Sequence, residues 1–437
     1  MRSLRDIVCA LERQVDRSSS VVPLCGLDSG RADSFALDPF RDCCTQCLLI
    51  DPSEAYRRMN VHLYPTPITH ESRIERMTCM LAEAKLFKRI VIIGTLTADL
   101  PAVQALDAVR TIWRIPRLAE TGASFPAKLL KTASWTSRVS RILRGEQITC
   151  VTCHSLAVLP LCVRLAQRHR AKLCYEPHEL ETESVTSRGL RKILMRATEK
   201  RLINRIDRII VVSEEIAQWY RASYGLKNID VFRNIPALTP QMESMDLRQR
   251  FGLSDDDLLF IYSGGLFSGR RVEQFLRIFP QLPLDRHIVF MGFGPLAQIV
   301  QEGAKRFSNI HFLPAVPPNQ VLAHLRGGDV GLCGVENRCL SYYFSLPNKQ
   351  FEYLHAGLGS LVPNFPEMSK LITTTQAGWI VPEDTDAAWL ESILRLHPRD
   401  IATARSMAAQ SAPHYTLLKE TELLTQTYRS MGFPHGD

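Results

Sequence analysis

The sequence predicts an α/β protein with two doubly wound domains that face a central cleft. Short apolar runs of strand length alternate with amphipathic helical segments, which is typical of parallel sheets covered on both faces. A chain of 437 residues is too long for one ordinary core and fits two or three domains. The alternation pauses at Asn234–Pro240, a stretch with two prolines that suits a linker between domains.

The first predicted domain follows an N-terminal extension. Residues 1–58 are rich in Asp, Ser and Arg, and nothing in them indicates a site. Strand–helix alternation then begins, and residues 59–236 are predicted to form the N-terminal domain. After its first strand, Ile74, Met77 and Leu81 lie at helical spacing. The predicted strands of this domain are Val61–Tyr64, Ile90–Ile93, Ile148–Cys153, Leu173–Tyr175 and Ile209–Val212.

Residues 237–410 repeat the alternation and are predicted to form the C-terminal domain. Residues 411–437 have helical character, and we expect a C-terminal helix that packs back across the linker. In open sheets of this kind ligands lie beyond the carboxyl ends of the strands, so the cleft is the expected site. The predicted strands are Leu258–Ser263, Ile288–Met291, Ile310–Leu313, Val330–Cys333 and Leu361–Pro363. An amphipathic helix follows the first of these, with apolar positions Val272, Phe275, Leu276 and Phe279.

Composition narrows the possible functions. No apolar run reaches the about 18 residues of a membrane span, and the first residues lack the apolar stretch of a signal peptide, so we expect a cytoplasmic protein. The twelve cysteines follow neither a disulfide framework nor zinc-site spacing, Cys43, Cys44 and Cys47 included, and free thiols are expected.

The net charge of +8 favours anionic partners. The chain lacks zinc-finger spacing and an aromatic RNA-binding signature, so we expect no nucleic acid partner. The most basic helical region carries the cations Lys128, Lys131, Arg138, Arg141 and Arg144. Its apolar face is formed by Trp135, Val139, Ile142 and Leu143. Such a helix can lie peripherally on an anionic membrane or pack into the core, and both alternatives stay open.

Two glycine-rich turns follow strands of the second domain. The first turn contains Gly264 and Gly265, and the second contains Gly292 and Gly294. Glycine lets the backbone approach a phosphate closely, and the helix that follows presents free N–H groups and the positive end of its dipole. We therefore predict phosphate binding at both turns, although a purely steric role is equally open for the second.

A predicted helix starts at Pro347 and carries three candidate binding residues. Asn348 and Lys349 occupy its first turn, and Glu352 lies on the same face one turn later. A cation at the positive end of a helix dipole is explained better by an anionic ligand than by helix stability. Lys349 could bind phosphate while Glu352 accepts hydrogen bonds from a ribose diol. The alternative is a surface ion pair between the two side chains.

The first domain contributes a second group, Tyr175–Leu180, directly after a strand. His178 could contact a phosphate or a sugar, and Glu179 could orient it, although a lone histidine is more often structural. Asp255, Asp256 and Asp257 are spaced for metal binding, but they precede their strand on the side away from the cleft. We expect a polar turn there and no metal.

Taken together these motifs resemble the retaining, family-4-like GT-B glycosyltransferases (glycosyl transferases group 1) from about residue 60 to about residue 430. The matching stretches are Tyr175–Leu180, Asp207–Ser213, Phe232–Pro236, Tyr262–Arg270, Phe290–Pro295, Asn309–Leu313, Asp329–Leu332 and Leu346–Gly357. The resemblance implies two Rossmann-like domains, with the acceptor on the N-terminal and a nucleotide-sugar donor on the C-terminal one. It implies sugar transfer from a nucleoside diphosphate sugar to a glycan or lipid-linked acceptor with retention, in surface polysaccharide or glycolipid biosynthesis.

The resemblance also implies residue roles. Arg270 and Lys349 would neutralise the donor pyrophosphate, Glu352 would bind the ribose, and His178 would reach the donor sugar. No metal or cofactor is implied beyond the nucleotide sugar as co-substrate. The predicted catalytic residues are His178, Glu179, Arg270 and Lys349. The predicted donor-binding residues are Gly264, Gly265, Gly292, Gly294, Asn348 and Glu352.

The sequence departs from the family pattern at two positions. Phe344 stands where the first glutamate of the family's Glu-x7-Glu motif is expected, and Gly265 stands where an arginine is common. Other members with a Leu-Pro-Asn-Lys helix lack that glutamate, which indicates a subfamily. A non-catalytic nucleotide-sugar-binding or scaffold protein is the alternative, and a sugar-nucleotide epimerase is a third. The retained histidine, cations and second glutamate favour catalysis.

Overall fold

The computed structural model describes residues 58–69, 71–117, 125–237 and 243–433, with side chains from residue 132 onward in the helix that starts at Phe125. Two sheets of largely parallel strands, both covered by helices, are present, so the predicted fold class is confirmed. The predicted extension lies outside the described residues except for Arg58. None of the described helices has the length and apolarity to cross a bilayer.

The first sheet is formed by strands between residues 59 and 231. Its order is β3-β4-β2-β1-β5-β6-β7-β8, and all neighbours are parallel except the β3–β4 pair. The strands are β1 (Met59–Leu63), β2 (Arg89–Thr95), β3 (Val103–Ala105), β4 (Arg110–Ile115), β5 (Ile148–Cys153), β6 (Lys172–Tyr175), β7 (Arg208–Val211) and β8 (Ile229–Val231). The helices are α1 (Ser72–Glu83), α2 (Phe125–Ile142), α3 (Leu159–His169), α4 (Gly189–Leu202) and α5 (Glu214–Tyr224).

The second sheet is entirely parallel, with the order β11-β10-β9-β12-β13-β14. Its strands are β9 (Leu258–Ser263), β10 (Arg286–Gly292), β11 (Ile310–Pro314), β12 (Val330–Leu332), β13 (Gly359–Pro363) and β14 (Gly378–Val381). Its helices are α6 (Leu247–Phe251), α7 (Val272–Ile278), α8 (Ala297–Arg306), α9 (Val321–Arg326), α10 (Leu340–Tyr343), α11 (Asn348–Ala356), α12 (Pro366–Thr375), α13 (Asp386–Leu394) and α14 (Pro398–Ser411).

The last described helix, α15 (Leu417–Ser430), returns to the first domain. Leu424 and Tyr428 join the apolar cluster that includes Met77 of α1. The Tyr428 hydroxyl lies 2.9 Å from Oγ1 of Thr152 on β5. The last described helix therefore packs against the first sheet.

The basic helix α2 packs into the core of the first domain. Trp135, Val139 and Leu143 are fully buried in one apolar cluster, and Ile142 packs against it. The apolar face therefore serves the core, and the prediction that it could enter a membrane is wrong for this helix. Lys128 and Lys131, which were predicted to add positive charge to this helix, lie outside the residues whose side chains the structure describes.

Candidate active site in the interdomain cleft

A cleft of about 470 Å³ lies between the domains, at the carboxyl ends of their strands. Loops after β6 and β7 form one side, and the glycine turn after β9 and the start of α11 form the other. Eight predicted site residues line it: His178, Glu179, Gly264, Gly265, Arg270, Asn348, Lys349 and Glu352. The fold thus brings together residues from both domains that are far apart in the sequence.

Gly292 and Gly294 do not line this cleft but pack beneath the first glycine turn. A Cβ atom at Gly292 would lie 1.8 Å from the carbonyl oxygen of Gly264. One at Gly294 would lie 2.4 Å from the carbonyl oxygen of Leu266, and φ at Gly294 is +148°. Close backbone packing therefore requires these two glycines, in keeping with the steric alternative for the second turn.

Lys349 lies half-buried in the first turn of α11. Its Nζ is 3.7 Å from the centroid of the Tyr262 ring, a cation–π contact. Burial, together with the nearby Arg270 guanidinium, lowers the pKa of Lys349 to about 8. An anion in the cleft would stabilise the ammonium form, and the N-terminus of α11, beside Asn348, adds a partial positive charge.

Arg270 and its neighbour Arg271 have different environments. Arg271 is buried, forms ion pairs with Asp384 and Asp386, and stacks on Trp389. Its role is structural. Arg270 lines the cleft with its Cζ 4.8 Å from the Tyr342 ring centroid, and it forms no ion pair within the part of the chain that the structure describes.

Glu352 faces the same cleft without forming the predicted alternative, an ion pair with Lys349. Among the described residues, Glu352 has no ion pair within 4.0 Å and accepts no hydrogen bond. Burial raises the pKa of this carboxyl, although the charges of Lys349 and of Arg76 on α1 oppose the rise. A half-buried carboxylate with open acceptor positions suits the two hydroxyls of a ribose.

His178 adjoins a buried polar network whose members were not among the predicted site residues. Its Nε2 lies 3.3 Å from Oε2 of Glu176, the first acidic residue after β6. The same oxygen lies 2.5 Å from Nδ1 of His154, and His154 Nε2 lies 2.9 Å from Nδ1 of His62. Arg73 on α1 donates to the other oxygen of Glu176. Each of the two additional histidines is at or just beyond the carboxyl end of a strand, which is the signal that could have identified them.

Glu179 forms neither a hydrogen bond nor an ion pair with His178 in the described structure, so it does not orient that side chain as predicted. It accepts a hydrogen bond from Oγ of Ser341, at 3.3 Å across the cleft. Glu176 contacts the histidine instead. Burial alone would raise the pKa of Glu176, but the charges of Arg73 and His178 and the hydrogen bond from His154 hold it well below its usual range.

His154, Glu176 and His178 are the described residues with side-chain spacing suited to a metal ion, since their ligand atoms lie within 4.8 Å of one another. Both oxygens of Glu176 are already engaged, one of them by the guanidinium of Arg73. A second positive charge beside that guanidinium would be unfavourable. The trio therefore fits a polar cluster centred on Glu176, which His178 meets only through a charge contact, better than a metal site.

Phe344 lies at the junction of the domains and not on the cleft wall. Its ring packs against the core cluster of the first domain, and its carbonyl oxygen accepts a hydrogen bond from Ser213 Oγ at 2.9 Å. Position 344 thus joins the two domains in this chain, which accounts for an apolar residue there.

Comparisons with known proteins bear on this arrangement. Residues 89–235, about a third of the chain, match the family model described as Glycosyltransferase Family 4. No curated protein sequence matches. Sucrose-phosphate synthase from Thermosynechococcus elongatus has a similar structure, with a TM-score of 0.70 at 14% identity over 86% of this chain and 99% of that chain.

The chain has the GT-B fold. The structure of HepE from Anabaena in complex with UDP-glucose matches with a TM-score of 0.64 and 11% identity, covering 85% of this chain and all of that one. WaaG, a glycosyltransferase involved in lipopolysaccharide biosynthesis, matches with a TM-score of 0.59 and 14% identity, over 86% of this chain and 100% of that one. The predicted resemblance to GT-B glycosyltransferases is thus confirmed at the level of the fold.

Proposed function

We propose that this protein is a glycosyltransferase that moves a hexose or related sugar from a nucleoside diphosphate sugar to a glycan or lipid-linked acceptor. The observation that carries the proposal is the pair of cations, Arg270 and Lys349, on one wall of the interdomain cleft without a carboxylate partner among the described residues. The same fold binds UDP-glucose in HepE from Anabaena. Two neighbouring cations without a carboxylate partner suit an anion with two charged groups, such as a diphosphate.

The chemistry follows from where charge develops. As the bond to the sugar breaks, negative charge grows on the leaving diphosphate, and the two cations and the N-terminus of α11 are placed to stabilise it. Glu352 binds the ribose, and His178 contacts the donor sugar from the opposite domain. Retention of configuration is proposed because these motifs resemble those of the retaining family. Metal-independent transfer is proposed because Arg270 and Lys349 would neutralise the diphosphate in place of a metal ion.

The acceptor is proposed to belong to surface polysaccharide or glycolipid biosynthesis. This rests on the resemblance of the motifs, since acceptors in that family are often linked to lipids. The protein would then act in the cytoplasm at the inner face of a membrane. Because α2 buries its apolar face, a peripheral membrane contact has to use another surface.

The alternative of a non-catalytic scaffold rests on two departures from the family pattern, Phe344 and Gly265. Phe344 occupies the junction between the domains and does not line the cleft, whereas Gly265 does line it. The cleft keeps the histidine, both cations and the glutamate.

The proposal is tested by screening nucleoside diphosphate sugars for protection against thermal unfolding. A ligand that binds only the native state must raise its stability, so at least one donor should raise the Tm of the wild type. Arg270→Gln should abolish this shift, while Arg395→Gln, which alters an exposed arginine paired with Glu391, should keep it. A wild type protected by none of the donors would contradict the proposal.

A further inference from the structure

Helix α4 presents apolar side chains to solvent. Leu190, Ile193 and Leu194 are 70%, 65% and 49% exposed. Their spacing of i, i+3 and i+4 places them together on one face of the first two helical turns. Scattered exposed leucines are ordinary on protein surfaces, but a grouped apolar face at a helix surface marks an interaction site.

The orientation of α4 is fixed by polar contacts on its inner face. Glu199 is fully buried and accepts hydrogen bonds from the hydroxyls of Tyr175, Tyr220 and Tyr224, at 3.3, 2.8 and 2.8 Å. Turning the helix to bury its leucines would take this carboxylate away from three donors, which is costly for a buried charge. The outward apolar face is therefore built into the folded domain.

A second anchor acts near the start of the helix. The carboxylate of Glu183, itself buried, lies 2.7 Å from Nζ of Lys192 and 2.6 Å from Nη2 of Arg196. These two cations thus attach α4 to the turn at Glu181–Glu183, which follows the cleft residues His178 and Glu179 in the chain. The helix is connected to the rim of the cleft by one short segment.

Four further cations lie on α4 or at its N-cap. Arg188, Arg191, Lys200 and Arg201 are exposed, and none forms an ion pair with a carboxylate in the described part of the chain. The only acidic residue of α4 in the sequence is Glu199, which points inward. The outer surface of α4 therefore combines apolar groups with positive charge that nothing on the helix offsets.

We propose that α4 docks the protein on a bilayer surface that contains anionic lipids. The three apolar side chains would enter the boundary between headgroups and acyl chains, while the cations contact lipid phosphates. A second copy of this chain suits the surface less well, because a two-fold contact would set these cations against each other. Docking here would bring the rim of the cleft close to the headgroups. The proposal goes beyond the cleft chemistry and does not depend on it.

Co-sedimentation of the full chain with vesicles tests the proposal. Neutral phosphatidylcholine vesicles should leave the protein in solution, and a rising share of phosphatidylglycerol should bring it into the pellet. Raising the salt from about 0.1 M to about 1 M shortens the Debye length from about 10 Å to about 3 Å and should release it. Binding without anionic lipid, or binding that salt does not weaken, would overturn the proposal.

Variants locate the contact. The triple change Leu190→Gln, Ile193→Gln and Leu194→Gln should lower the bound-to-free ratio about tenfold or more, since these groups no longer gain from leaving water. Leu284→Gln, at a leucine that is 71% exposed on the second domain, is the matched control and should bind as the wild type does. Both proteins should keep the wild-type Tm and donor protection, which separates this outcome from a failure of the cleft proposal.

Three outcomes would refute the role of α4. The wild type could remain in the supernatant at every content of anionic lipid. The triple variant could bind vesicles as tightly as the wild type, which would place the contact elsewhere. Sedimentation velocity without lipid could show a wild-type dimer that the triple variant converts to monomers, which would make a second copy the occupant.

Discussion

Lys349 should destabilise the ligand-free protein at neutral pH, because its half-buried ammonium lies near Arg270 and forms no ion pair with any described carboxylate. We expect Lys349→Met to raise the free energy of unfolding. A fall in the pKa from 10.5 to about 8 corresponds to about 3 kcal/mol at most. Partial solvent exposure reduces this amount, and the lost cation–π contact with Tyr262 takes away about 0.5–1 kcal/mol more. The expected net gain is about 1–2 kcal/mol.

The pH dependence of this effect has a definite sign. Between the folded pKa of about 8 and the unfolded pKa near 10.5, the unfolded chain binds more protons at Lys349, so wild-type stability rises with pH. The penalty is complete below about pH 8 and is lost as the pH approaches 10.5. The advantage of Lys349→Met should therefore be large at pH 7 and small at pH 10.

Urea unfolding at both pH values measures the effect, with Lys370→Met, at an exposed lysine of α12, as the control. The same variant should bind the donor more weakly, so a gain in stability accompanies a loss of affinity. A Lys349→Met protein that is less stable than the wild type at pH 7, or whose gain is equal at pH 7 and pH 10, would refute the reasoning.

Three further predictions concern the same cleft. Glu352→Gln should weaken donor binding by about 1–3 kcal/mol in titration calorimetry, which is the cost of an unmatched hydrogen-bond partner. The control Glu422→Gln, at an exposed site, should bind the donor as the wild type does. Unchanged affinity of Glu352→Gln would show that Glu352 is not part of the site. Transfer should persist in a chelator, and activity that disappears and returns with magnesium or manganese would contradict metal independence. Gly292→Ala should lower the free energy of unfolding by about 1–3 kcal/mol because its Cβ meets the carbonyl oxygen of Gly264. Gly145→Ala, with open space around it, is the control and should unfold like the wild type in urea. Equal stability of the two variants would show that the turn accommodates a Cβ atom without cost.

Much of the fold could be predicted because buried parallel strands are continuous apolar runs. All ten predicted strands coincide with observed ones to within about two residues at their ends. Four observed strands were not predicted: β3, β4, β8 and β14. Two of them, β3 and β4, carry a weak sequence signal. β4 includes Arg110 and Arg114, whose side chains are buried by contacts with Asp107, Gln104 and backbone carbonyls. The run of three residues in β3 lies at the edge of the sheet and is too short to show a pattern.

The cleft could be predicted in outline because its residues directly follow strands or begin a helix. In a parallel sheet the carboxyl ends of the strands all lie at one edge, so residues at these positions lie at that edge. The polar network around Glu176, which His178 contacts, could not be predicted. It depends on Arg73 of α1 and on His62 and His154, which belong to or directly follow two neighbouring strands. Those contacts arise only from the tertiary packing of separate elements.

Periodicity likewise predicted the apolar face of α2 without showing whether it turns to the core or to solvent. The face of α2 is buried, as Trp135 shows, whereas the face of α4 is exposed because Glu199 takes the inner position beside three tyrosine hydroxyls. A polar anchor of this kind reverses the usual rule that the apolar side of a helix faces the core.

Release of nucleoside diphosphate from the donor found by thermal screening, measured with and without a lipid-linked acceptor extract, tests the central claim most directly. The account predicts release that depends on the acceptor, and product sugar with the anomeric configuration of the donor. Arg270→Gln should strongly reduce release because one of the two cations that stabilise the leaving diphosphate is then lost. A wild-type protein that binds the donor but releases no diphosphate with any acceptor would contradict the claim and favour a binding or scaffold protein.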